Sequence, residues 1–247
     1  MTKKNTYNIN INKLLSKIII IIIIMIICSR YIKLSRNLPQ SPWILEGKRV
    51  LPSSVQEIIF GPLNKCYKFK FIAAGREDVD VRCLGDGRPF AVEVMIGLGL
   101  FSRYKAAVPE IEDLVQLKKG EETKSKTYEA LCIKLSHSKY DVSLKTKVLN
   151  VKIALQQKTP IRVLHRRPLL TRSREILELT ASLIPGTLGL FALRARTSAG
   201  TYVKEWVHGE LGRSAPALPH ALLARADLLA LDVRAVHLAW PKHRLIM

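Results

Sequence analysis

The sequence predicts an α+β fold with a central mixed, mostly antiparallel sheet flanked by helices. Three observations carry this. Period-2 alternation recurs in short segments, as from Tyr67 to Ala73, where Tyr67, Phe69 and Phe71 alternate with Lys68, Lys70 and Ile72. Helical periodicity is confined to brief stretches, the clearest being Val203, Trp206, Val207 and Leu211 at i, i+3, i+4 and i+8. Strands and helices interleave irregularly, unlike the strict alternation that builds a parallel sheet.

Along the chain, Tyr31 to Gly47 contains Pro39, Pro42 and Trp43 and reads as extended. Ser53 to Ile59 predicts a short helix begun at Ser53-Ser54, with Val55, Ile58 and Ile59 on one side. After the first strand comes a turn, Gly75-Arg76-Glu77-Asp78, and then a second strand through Val79, Val81 and Arg82. Gly85-Asp86-Gly87 signals another turn and Pro89 to Val94 another strand. Lys118 to Lys126 reads as a charged, mobile connection before the apolar stretch Tyr128 to Leu135. Thr159 to Leu164 and Leu188 to Thr197 predict strands, the first ending in the basic cluster His165-Arg166-Arg167. The helix that follows Tyr202 is expected to end at Gly212. Ala221 to Leu231 predicts a further helix. Val233 to Trp240 predicts a last strand, with Val233, Ala235 and His237 facing away from Arg234, Val236 and Leu238. No internal repeat is visible, and residues 31–247 read as one domain.

The 247 residues carry 40 Lys+Arg against 20 Asp+Glu, a net charge of +20, and 48% are hydrophobic. That apolar fraction is enough for a core. Such an excess of cations points to a polyanion, most commonly nucleic acid. Lys3, Lys4, Lys13 and Lys17 inflate the count, but the arginines between Arg162 and Arg174 belong to the folded part. Cys28, Cys66, Cys83 and Cys132 form no Cys-x-x-Cys pair and have no histidine at ligand spacing. They read as reduced structural thiols of an intracellular protein, and no metal is expected.

Ile18 to Cys28 is an unbroken apolar run after a Lys- and Asn-rich start. As a helix at ~1.5 Å per residue it reaches about half of a ~30 Å hydrocarbon core. Three readings stand, in descending order: low-complexity sequence appended to the domain by an inaccurate gene boundary, a membrane anchor through residues 18–28, and a secretory signal. Residues 1–30 are accordingly set apart from the domain.

In Gly75-Arg76-Glu77-Asp78 the glycine permits a tight turn and close approach of a substrate backbone. Arg76 is placed to grip a phosphate or open the place of a displaced base. If Val79 and Val81 point into a core, period 2 sets Asp78 and Asp80 on one opposite face, and spacing does not choose between them. A salt-bridged surface turn is the plainer alternative. Lys204 falls in the first turn of the helix after Gly200-Thr201, away from the apolar stripe, where a solvated lysine is the ordinary outcome. Tyr128 offers an aromatic face, or else a strand-edge core residue. His165 and His208 suit buried hydrogen-bonding roles as well as catalytic ones.

Longer strings decide among these. Gly75-Arg76-Glu77-Asp78, Tyr128-Glu129-Ala130-Leu131 and Gly200-Thr201-Tyr202-Val203-Lys204 resemble the three motifs of pseudouridine synthases. Tyr31-Ile32-Lys33-Leu34-Ser35-Arg36-Asn37-Leu38-Pro39-Gln40, Lys158 to Arg167 and Trp206 to Arg213 are similar to archaeal and eukaryotic tRNA pseudouridine synthases of the Pus-ten type. The resemblance covers most of Tyr31 to Pro241, in order. It implies the synthase catalytic fold with an active-site cleft, and no cofactor or metal. It implies tRNA as partner, isomerisation of a T-arm uridine (55, with 54 as second candidate), a monomer, and a nuclear or cytoplasmic location. It makes Asp78 the catalytic aspartate and Asp80 a supporting residue, with Tyr128 stacking on the base and Lys204 pairing with Asp78. Arg76, Arg162, His165, Arg166, Arg167, Tyr202 and Arg213 become substrate contacts. Between Val94 and Lys118, Met95-Ile96-Gly97-Leu98-Gly99-Leu100 departs from the family pattern. Residues 1–30 are also too few to supply the RNA-binding domain members carry upstream, so reduced tRNA affinity is expected. An inactive RNA-binding protein and a membrane-tethered basic domain are the competing readings.

Overall fold

The computed structural model describes residues 23–63, 68–96, 111–135, 147–149, 152–222 and 225–241. In chain order the elements begin with β1 (Ile23–Lys33), β2 (Ile44–Leu45), β3 (Lys48–Arg49), α1 (Val55–Phe60), β4 (Lys68–Ala73) and β5 (Arg82–Ile96). The middle comprises α2 (Ile111–Thr123), β6 (Lys126–Lys134), β7 (Lys147–Leu149), β8 (Ile153–Lys158), β9 (Thr171–Leu183) and β10 (Leu190–Thr197). The chain then runs through α3 (Val203–His208), β11 (Ser214–Ala215), α4 (Leu218–Leu222) and β12 (Ala226–Val236). Ten of these strands form one sheet in the order β1-β5-β12-β6-β10-β9-β8-β11, with β4 also on β5 and β7 also on β9. Every pairing but β5–β12 is antiparallel, so the predicted mixed α+β sheet is what forms.

The apolar run is strand from Ile23 onward. Ile23 to Cys28 pair in register with Ile96 to Ala91 of β5, as suits β-branched side chains. Among the described residues no helix is long and apolar enough to cross a membrane. Gly85-Asp86-Gly87 is a bulge inside β5, where a hairpin turn is expected: Tyr31 faces Arg88 while Lys33 already faces Cys83. Both glycines have positive φ, and a Cβ there would meet backbone oxygens of Arg234 at 2.2 Å and Tyr31 at 2.4 Å. Strand β5 thereby passes between β1 and β12 without breaking.

α1 starts as predicted, with the Ser54 hydroxyl accepting from the Glu57 backbone N–H, but Ile58 is exposed. Lys118 to Thr123 is helical, because Leu117 is fully buried and holds α2 to the core while Lys118 and Lys119 face water. Pro160, which has no N–H, ends β8, so Ile161–Val163 is a 3₁₀ turn where a strand is predicted. The sequence predicts no strand where β7, β8 and β9 form. α3 ends at Gly209 in the left-handed conformation, three residues before Gly212, which leaves Leu211 exposed instead of on the stripe. The predicted helix from Ala221 is instead α4 followed by β12; Leu228 and Leu231 pair with Cys132 and Ala130 of β6. A register shift between Val233 and Ala235 flips the face, so Val233 and Val236 are both buried and His237 is exposed.

One core packs Trp206, Val207 and Leu218 against Leu155, Ile176, Leu193 and Val233. A second gathers Tyr31, Val55, Phe90, Val92 and Val94, with Phe71 stacked 5.7 Å from Phe90. Cys83 and Cys132 are buried, unbridged thiols and Cys28 is half-buried; Cys66 and Tyr67 lie outside the described residues.

Candidate active site

Residues 74–81 connect β4 to β5, and buried side chains from elsewhere hold this loop by its backbone. Lys33, at the end of β1 and 1% exposed, donates its ammonium to the carbonyls of Leu38 (2.8 Å), Asp78 (2.9 Å) and Val79 (3.2 Å). Arg88 on β5 donates to the Ala74 carbonyl and, through Nε, to Glu77, both at 2.7 Å. Tyr31 Oη donates to Glu77 at 2.9 Å, and Gln40 Nε2 donates to Tyr31 Oη and to the Gly75 carbonyl. Burial works against the Arg88 charge, but the Glu77 carboxylate, joined by Tyr31, Cys83 and Tyr128, outweighs it and raises the guanidinium's pKa. Burial also drives the Tyr31 phenol far up, so it remains a donor. Stabilising so many buried charges requires the whole set of partners.

With its interior face anchored, the loop presents Asp78 outward, its side chain one-third exposed. Two cations meet that carboxylate. Arg162 Nη1 is 3.0 Å away and Lys204 Nζ is 3.4 Å away. Lys204 also holds both Asp80 oxygens, at 2.8 and 2.7 Å, so its closer partner is Asp80. Burial pushes the Asp80 carboxyl up, but the Lys204 hydrogen bond and charge hold it below the usual carboxylate range. Arg162 is fixed by Glu205, whose Oε1 accepts from Nε at 2.6 Å. Burial lowers the Arg162 pKa, yet Glu205 and then Asp78 keep it raised overall. Adjacent residues in the first turn of α3 therefore serve Asp78 from two sides: Lys204 directly and Glu205 through Arg162.

The carboxylate opens on a cavity of about 650 Å³, inside the ~300–1,000 Å³ range of small-ligand clefts. Arg76, exposed, lines it, as do half-buried Tyr128 on β6 and Tyr202 at the start of α3. Burial pushes the Tyr128 phenol up to about 12, so the ring is neutral. Arg166 and Arg167, on the turn after Arg162, line it too.

Other expected contacts stand apart. His165 is exposed and outside the lining. Arg213 is absent from the lining as well: its guanidinium donates to the Thr159 carbonyl at 2.6 Å and lies 3.5 Å from Glu210. His208 is exposed, its Nδ1 accepting from the Glu210 N–H, so neither histidine has a buried role. Residues not anticipated include Lys33, Glu77 and Arg88 beneath the loop, and Lys126, Arg172 and Arg174 in the wall. Arg172, Arg174 and Ile176 do show a period-2 spacing, a legible sign of one shared face. Among the described residues no group of three or more His, Cys, Asp or Glu side chains is placed to hold a metal ion.

The family profile described as "Pus10, C-terminal" matches residues 26–99 and 100–237. The chain is 40% identical over 243 residues to the tRNA pseudouridine synthase Pus10 of Homo sapiens, covering 87% of this chain and 44% of that protein. It is 34% identical over 231 residues to the tRNA pseudouridine synthase Pus10 of Thermofilum pendens, covering 84% and 51%. The chain thus spans about half the length of the curated relatives it matches. Among solved structures it superposes on a chain of a Cbf5-Nop10-Gar1 complex with TM-score 0.46 and 19% identity, over 80% of this chain and 46% of that one.

Proposed function

The chain belongs to the Pus10 C-terminal family, and from that premise we propose that it is an isomerase that converts a uridine of tRNA to pseudouridine. The observation that carries this reading is Asp78, an acid set between Arg162 and Lys204 at the wall of a cavity that also exposes the Tyr128 ring. A uridine in folded tRNA is stacked, so the nucleotide is first turned out, at a cost of a few kcal/mol. Arg76 fills or opens its former place, and Tyr128 holds the base face. Asp78 acts at the sugar as nucleophile or base while the C1′–N1 bond breaks. The uracil rotates, C5 bonds to C1′, the C5 proton is lost and N1 regains one, so the atoms balance and no external reactant is consumed. Lys204 and Arg162 hold the Asp78 carboxyl in position for these steps. Arg166 and Arg167 contact backbone phosphates. The target is a T-arm uridine, position 55 with 54 as second candidate, and the site of action is where tRNA matures, in nucleus or cytoplasm.

The test incubates the protein and an Asp78→Ala variant with unmodified tRNA and maps pseudouridine by carbodiimide-stop primer extension. Product from the wild type alone is expected. Tight tRNA binding by both proteins with product from neither would replace the isomerase with an inactive RNA-binding protein.

A further inference from the structure

Strand β9 begins with two arginines that point where a core residue is expected. Arg172 and Arg174 share the face of Ile176, which is fully buried, and across the ladder they face Gln157 and Leu155, both also buried. Glu175 alternates onto the opposite face, and the register shift after Ile176 carries Glu178 there too. Among the described residues no carboxylate pairs with Arg172 or Arg174. Arg174 Nε is shielded from water with no acceptor, and its Nη1 reaches only the neighbouring Ser173 carbonyl, at 2.9 Å. The guanidinium lies over Gly200, whose φ is +72° and where a Cβ would sit 3.0 Å from Arg174 Nη2. Only glycine leaves room for it there.

No described carboxylate balances this guanidinium, and an anion in the cavity that Arg174 lines would supply acceptors to its outer N–H groups. Arg166 and Arg167 line the same wall, so the cationic surface continues outward from Asp78. Resting on the reading that a nucleotide of RNA occupies this cavity, we infer that Arg172 and Arg174 form an anchor for one backbone phosphodiester flanking that nucleotide. A planar fork held in place grips a phosphate in two directions, as a mobile surface lysine does not. The burial that lowers the Arg174 pKa, assisted by the Arg172 charge, is consistent with a site that an anion completes.

The test is a chemical double-substitution cycle. A fluorescent T-arm RNA hairpin is prepared unmodified, or with a single neutral methylphosphonate linkage 5′ or 3′ of the target uridine. Each RNA is titrated with wild type, Arg174→Gln and Arg174→Lys. Loss of a charged contact predicts about tenfold weaker binding of the unmodified hairpin by Arg174→Gln and a salt slope smaller by about 1. One of the two neutral linkages should weaken the wild type by a similar factor and Arg174→Gln by less than about twofold, the signature of a shared contact. Equal losses in both proteins at both linkages would overturn the anchor, as would wild-type affinity in Arg174→Gln. If Arg174→Gln melts early by circular dichroism, Arg172→Gln carries the same cycle. Pseudouridine is assayed in the wild-type samples: its absence alongside intact coupling would sink the isomerase reading and leave the anchor standing.

Discussion

The guanidinium of Arg162 lies 3.0 Å from the carboxylate of Asp78. Sequence alone marks Arg162 as one of several arginines free to meet RNA; in the fold its two ends are committed, one to Asp78 and one to Glu205. An arginine fork suits this bridging because it presents several donors in a fixed plane. The acid is therefore oriented from one side by an arginine that cannot swing away, and from the other by Lys204.

Replacing Arg162 should injure both ends. Arg162→Gln leaves Glu205, 3% exposed, without its cation, which costs about 1–3 kcal/mol. Urea denaturation should show the midpoint falling accordingly, and pseudouridine formation should drop at least about tenfold. The double variant Arg162→Gln/Glu205→Gln should recover most of the stability and none of the activity. Recovery of both would mean that Arg162 does nothing for Asp78.

Lys204 touches both aspartates, which separates their roles. Asp80 is the more exposed, its side chain at 65%, so its pairing is worth at most about 1 kcal/mol. Asp80→Asn should keep activity within about tenfold, since Lys204 can then turn wholly to Asp78. Lys204→Met should cost at least a hundredfold in kcat, roughly 3 kcal/mol of barrier. Single-turnover rates on a tRNA transcript distinguish the two, and the reverse order would transfer the acid's role to Asp80.

The pH dependence of stability should trace Asp232. Arg36 and Arg82 hold this carboxylate at 2.7 and 2.5 Å, tying the segment after β1 to β12. Burial pushes its pKa up, but the Arg82 hydrogen bond, followed by the charges of both arginines, leaves it below its ordinary 3.8. A depressed carboxyl contributes stability that is present above the unfolded pKa and lost as pH falls through the folded one. Asp232→Asn should therefore be about 1–2 kcal/mol less stable than wild type from pH 5 to 8, with the gap closing below about pH 4. A gap constant down to pH 2 would exclude this ion pair as its source.

How much of this was legible beforehand depended on the range of each signal. Val203, Trp206 and Val207 lie three and four residues apart, so one helix buries them and their spacing announces it. Leu211 continues that spacing but not the helix, because Gly209 ends it first. The Ala/Leu-rich segment from Ala221 scores as helix locally, yet Ala226–Val236 is a central strand because β5 and β6 flank it. Asp78, Tyr128 and Lys204 stand out in the sequence through their motifs, and all three line one cavity. Arg88 and Lys33 carry no such signal, because a cation beside a turn or in an extended segment reads as solvent-facing. Only the fold, by bringing Glu77 of the 74–81 loop against both of them, makes their burial tolerable.

That buried group makes the most demanding prediction. Lys33 meets three carbonyls, two of them belonging to Asp78 and Val79, so its loss should loosen the loop without touching substrate. Lys33→Met is expected to cost about 3 kcal/mol and to lower kcat at least tenfold with KM within about twofold, since the phosphate contacts remain. Glu77→Gln should be worse for stability, by about 3–5 kcal/mol, because it strands Arg88 as an uncompensated buried charge. Arg88→Met/Glu77→Gln removes both charges and should regain part of that loss. Denaturation midpoints give the order of stability, and steady-state kinetics on tRNA give the split between kcat and KM. A Lys33→Met enzyme with normal kcat and raised KM would show that the ammonium supports RNA binding instead of the position of Asp78.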